Sequence, residues 1–72
     1  MPVGMDAQRA RTLAQQIEAE DARVQTDVLQ CRGKEAKGKT WKVVASLKVR
    51  NLKMELYKPD HWQDIKVAWN EL

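Results

Sequence analysis

Cysteine, histidine, proline and glycine are all scarce in this chain, and phenylalanine is missing altogether. Each shortage removes a class of explanation. With Cys31 as the one cysteine, no intramolecular disulfide can form, which fits a reducing compartment such as the cytoplasm. Cys31 reads as a small apolar residue in a strand. A cysteine nucleophile would want an imidazole base, and the one histidine, His61, stands in another segment. One Cys and one His cannot supply the paired ligands of a structural zinc site, so no metal is expected. No apolar run approaches the roughly 20 residues of a membrane span. The N-terminus also lacks the basic-then-apolar layout of a signal peptide. The expectation is a cytoplasmic protein with no membrane partner.

Length is short too. At 72 residues the chain holds one domain at most. A domain of this size buries only about 60% of the surface its unfolded chain exposes. Residues 1–5 read as a disordered N-terminus and residues 6–72 as a single α+β domain.

Acidic residues are scarce only in the middle. Residues 31–58 hold nine basic side chains against Glu35 and Glu55, a net charge of +7. The segments on either side, 1–30 and 59–72, each carry −2, so the overall +3 hides a strongly basic centre.

The hydrophobic pattern then gives an element order. In residues 6–19, Ala10, Leu13, Ala14 and Ile17 make one helical stripe, with Asp6 as N-cap. Glu18, Glu20 and Asp21 crowd the far end, where the helix dipole disfavours anions, so the helix should stop near Glu20. Residues 22–31 place Val24, Thr26 and Val28 at period two, a strand. Residues 41–49 alternate more clearly. Trp41, Val43, Ala45, Leu47 and Val49 face one way, and Lys42, Val44, Ser46 and Lys48 the other. After a tight turn at Arg50-Asn51, Leu52, Met54 and Leu56 form the apolar face of a third strand. Pro59 ends it. Asp60 and Gln63 have the spacing of a capping box for a second helix whose stripe is Trp62, Ile65, Trp69 and Leu72. A fourth strand is the competing reading of that last segment, because Ile65, Val67 and Trp69 also alternate. The predicted fold is α+β in the order α-β-β-β-α, with a three-stranded antiparallel sheet and both helices on one face. The alternative order is α-β-β-β-β.

This order is shared with double-stranded-RNA-binding domains. Those domains carry a lysine cluster at the start of the second helix, where this chain has Asp60, His61, Trp62, Gln63 and Asp64. The order alone assigns no family.

One stretch, "GKEAKGKT" at residues 33–40, matches the phosphate-loop pattern letter by letter. A phosphate loop runs straight into a helix whose N-terminus faces the anion. Here Thr40 is followed by a period-two, β-branched run. The chain has no room for a βαβ unit, which needs about 30 residues. The stretch therefore reads as a hairpin loop, with no nucleotide and no cofactor.

Two functions follow as expectations. The first is non-specific nucleic-acid binding, to DNA or RNA, through Arg32, Lys34, Lys37, Lys39, Lys42, Lys48, Arg50 and Lys53, with cations meeting successive phosphates. Tyr57 shares a strand face with Lys53 and could stack on a base. The second is a protein-interaction or self-associating module, motivated by Trp62 and Trp69 on one helical face of a small domain. No carboxylate pair, Ser-His-Asp set or metal cluster stands out, so no enzymatic activity is expected.

Overall fold

The computed structural model describes residues 4–32 and 40–71. The order is α-β-β-β-α: α1 (Ala7–Glu20), β1 (Val24–Gln30), β2 (Trp41–Leu47), β3 (Leu52–Leu56) and α2 (His61–Asn70). The strands form one antiparallel sheet in the spatial order β1-β2-β3. The last segment is a helix, so the four-strand alternative falls.

α1 starts where the Asp6 carboxylate accepts from the Arg9 N–H at 2.7 Å, a side-chain cap on one of the helix's open donors. Its stripe of Ala10, Leu13, Ala14 and Ile17 is buried. The chain leaves the helix at Asp21, whose carboxylate accepts from the Arg23 N–H at 3.0 Å and from the Arg23 guanidinium at 2.7 Å. That local clamp turns the chain into β1.

Register explains the faces. Thr26, Ala45 and Met54 lie abreast, as do Val28, Val43 and Leu56. Side chains alternate along each strand, so these rows share one face. Val24, Val43, Ala45, Leu47 and Leu56 on it are buried in the same cluster as the α1 stripe, Trp62 and Trp69. Both helices therefore contribute to one core on one face of the sheet.

Four details depart from the expectations. Met5, expected in a disordered terminus, is 5% exposed and belongs to the core. It is held by reciprocal hydrogen bonds with Trp41, 2.8 Å from Met5 N–H to Trp41 O and 2.6 Å from Trp41 N–H to Met5 O. Residues 1–3 lie outside the described residues. Val49, expected on the apolar face of the second strand, is 75% exposed. The strand ends at Leu47, and Lys48–Arg50 make a single 3₁₀ turn closed by Asn51 at φ 55°. Asn is among the residues that tolerate this left-handed conformation, and the turn breaks the alternation before Val49. The capping box at α2 does not form. Asp60 is already helical at φ −65°, ψ −26°, and its side chain makes no cap bond. Lastly, Leu52 and Met54 share a face with the core but are 37% and 44% exposed.

Candidate interaction surface

The eight cations singled out in the sequence do not gather in one place. Lys34, Lys37 and Lys39 lie outside the described residues, along with the rest of 33–39. Arg32 follows the end of β1 and is exposed. Lys48 and Arg50 are exposed in the turn after β2, and Lys53 is exposed on β3 next to it. β2 separates these two ends by roughly 20 Å, at about 3.3 Å per residue. Lys42, near the Arg32 end, is engaged: its Nζ donates to the Glu55 carboxylate at 3.1 Å and lies 5.7 Å from the centre of the Tyr57 ring.

The solvent face of the sheet is mixed in sign. One row across it is Gln25, Ser46 and Lys53, and the next is Asp27, Val44 and Glu55. Two carboxylates thus stand between the two groups of cations. A shallow depression of about 350 Å³ at the turn end places Lys48 and Lys53 beside Asp27. Glu55 also accepts from the Tyr57 hydroxyl at 2.6 Å. That bond first, and Lys42 second, hold its carboxyl below its ordinary pKa of 4.5, so it is ionised at neutral pH. Tyr57, the proposed stacking ring, is occupied by these same neighbours.

After Thr40 the chain enters β2, antiparallel to β1, and not a helix. The Thr40 Oγ1, which a phosphate loop would turn toward magnesium, is buried. The loop preceding it is outside the described residues.

The tryptophans are interior. Trp62 is 1% and Trp69 6% exposed, with their rings edge to face at 6.2 Å and 80°. The Trp62 indole N–H donates to Glu20 at 2.5 Å, and Lys66 reaches the same carboxylate at 3.4 Å, tying α2 to the end of α1. These rings build the core and do not form an exposed patch, so the original motive for an interaction surface is gone.

A different surface takes its place, one the sequence reading did not identify. β3 is an edge strand, and four of its five residues are exposed, including Leu52 and Met54 on the core side. α1 covers β1 and β2. α2 reaches β3 near Met54, leaving an open cleft of about 300 Å³ lined by Met54, Glu55, His61, Asp64 and Ile65. The other edge is different. There the Glu18 carboxylate accepts from the Thr26 N–H at 3.2 Å and from its hydroxyl, so a side chain occupies β1's outer backbone. Among the described residues nothing comparable sits on Leu52–Leu56. The strand's exposure follows from layer geometry: α1 covers two strands, and α2 covers only part of the third.

No helix among the described residues is long and apolar enough to cross a membrane, and no group of His, Cys, Asp and Glu there could hold a metal ion. Comparison with protein-family models, curated proteins and solved structures gives no significant match.

Proposed function

We propose that this chain is a small protein-interaction module that accepts an extended strand along the outer edge of β3. The observation that carries this reading is the exposure of Leu52 and Met54 on an edge strand whose outer backbone is open. Folded proteins usually blunt such edges or use them. Strand addition draws affinity from main-chain hydrogen bonds and specificity from alternate side chains. Here those side chains would meet Leu52, Met54 and the adjoining cleft. Panning a random peptide library against the protein tests it. Selected peptides should be extended, with apolar residues at every second position. They should perturb the backbone amide signals of Leu52–Leu56 and lose binding in Met54→Lys. Peptides that map to another surface, or none selected by a protein that is also monomeric, would overturn the reading.

Nucleic-acid binding is a second reading, favoured by Lys48, Arg50 and Lys53, which cluster at one end and form no ion pair among the described residues. If they join the other cations in about four to six phosphate contacts, log affinity for a duplex falls with log salt at a slope of about −3.5 to −5.5. Replacing Lys48, Arg50 and Lys53 together by Ala should weaken binding to all sequences alike. Absence of binding to any duplex or single strand at about 50 mM salt removes this reading.

A further inference from the structure

We propose that the strand β3 accepts is β3 of a second copy, giving a two-fold dimer with one continuous six-stranded sheet. This rests on the interaction reading and names its partner. Charge complementarity within five residues carries it. β3 reads Leu52-Lys53-Met54-Glu55-Leu56. Paired antiparallel with itself about Met54, it sets Leu52 opposite Leu56 and Lys53 opposite Glu55, and the two-fold axis repeats both pairs. Opposite charges directly across a ladder attract, and like charges repel.

The competing registers are worse. Shifting by two residues keeps the faces but sets Lys53 against Lys53 or Glu55 against Glu55. Shifting by one sets Leu52 against Glu55 and turns the apolar side chains to the solvent face. The favoured register also keeps the layers of each copy. Lys53 and Glu55 continue the solvent-face rows of Ser46 and Val44, while Leu52, Met54 and Leu56 continue the core-face rows of Leu47, Ala45 and Val43. Met54 meets Met54 at the axis, beside the cleft that α2 leaves open. Glu55 keeps its bonds to Lys42 and Tyr57 and still has capacity, because an ionised carboxylate offers about four acceptor sites. The interface is isologous, so it closes at two copies.

The same operation on β1 fails. Pairing Val24–Gln30 about its middle sets Asp27 against Asp27, and the Glu18 carboxylate already holds the Thr26 N–H. Association is thereby confined to one edge and cannot run on into a filament. Antiparallel pairing also places one copy's Lys48–Arg50 turn at the same end of the sheet as the other copy's Arg32.

Charge reversal is the test, read by light scattering and sedimentation equilibrium from micromolar to millimolar protein. The wild type should associate to a dimer and no further. Lys53→Glu alone and Glu55→Lys alone should each be monomeric over that range while retaining the wild-type circular dichroism spectrum. The double variant Lys53→Glu/Glu55→Lys should dimerise again. An equimolar mixture of the two single variants should form a mixed dimer, because each then presents one sign throughout. Amide exchange in Leu52–Leu56 should slow as wild-type concentration rises, a readout that needs no variant. A monomeric wild type, single variants that dimerise undiminished, or a double variant that stays monomeric overturns the proposal. Should the wild type be monomeric while library peptides still bind β3, self-pairing falls and the interaction reading stands. Should neither bind, both fall.

Discussion

Gly4 and Glu20 show how single residues depend on partners far along the chain. Gly4 has φ +105°, and a Cβ there would stand 2.8 Å from the Trp41 carbonyl oxygen. Only glycine fits both the conformation and the contact that let Met5 pair with Trp41. Gly4→Ala should lower stability by about 1–3 kcal/mol, read from urea denaturation. Glu20 accepts from the Trp62 indole and from Lys66, and these, in that order, hold its carboxyl below its ordinary 4.5. A carboxylate with a depressed folded pKa contributes stability that is complete above its unfolded pKa and lost as pH falls through the folded value. The expected result is an acid limb that begins below about pH 5 and is shallower in Glu20→Gln, measured by thermal melting across pH. Neither role was legible in the sequence. Gly4 falls in the segment expected to be disordered, and Glu20 reads as a charge that merely ends a helix.

At the level of elements, the two helix starts make a natural comparison. Both begin with Asp, and α2 even has the fuller capping signature, Asp60 with Gln63. Yet Asp6 caps and Asp60 does not. The chain enters α1 extended, at φ −70° and ψ 164° for Asp6, which aims the carboxylate at the Arg9 N–H. It enters α2 already coiled, with Trp62 N–H donating to Pro59 O at 3.3 Å and Gln63 N–H to Asp60 O at 3.2 Å. Backbone acceptors have taken the place of the side chain. Asp6→Ala should therefore cost about 1 kcal/mol and Asp60→Ala less than about 0.5 kcal/mol, compared by chemical denaturation. Residue types at the right spacing state that a cap is available. The incoming backbone angle decides whether it is used.

For the whole molecule, stability and association become one question. A domain of this size has little apolar burial to spare, and a dimer through β3 would cover Leu52 and Met54. Anything that binds the folded state alone raises its apparent stability, and here that ligand is the protein itself. The midpoint of thermal unfolding should rise with protein concentration for the wild type and stay constant for Lys53→Glu. A concentration-independent midpoint for both would mean that the folded chain gains nothing from its copies.

The sequence by itself determined the element order, the α1 stripe, the Trp62, Ile65 and Trp69 positions of the α2 stripe, and the strand faces short of Val49, while Leu72 lies outside the described residues. Those follow from local periodicity: side chains repeat every 3.6 residues on a helix and every two on a strand wherever the chain goes. It also located the turn at Asn51, because only a few residue types accept a positive φ. What it did not determine was where charges and apolar residues meet. A net charge summed over 31–58 counted Glu55 without placing it and left out Asp27, and the register of three strands sets both between the cations. Trp62 and Trp69 share one helical stripe, and the depth of the core decides that both rings are covered. Leu52 and Met54 looked buried by the same alternation that does bury Val43 and Ala45, and they are open because β3 lies at the sheet's edge with α2 covering part of it. Burial is set by which elements lie over which, through contacts between residues distant in the chain, and a local pattern cannot carry that information.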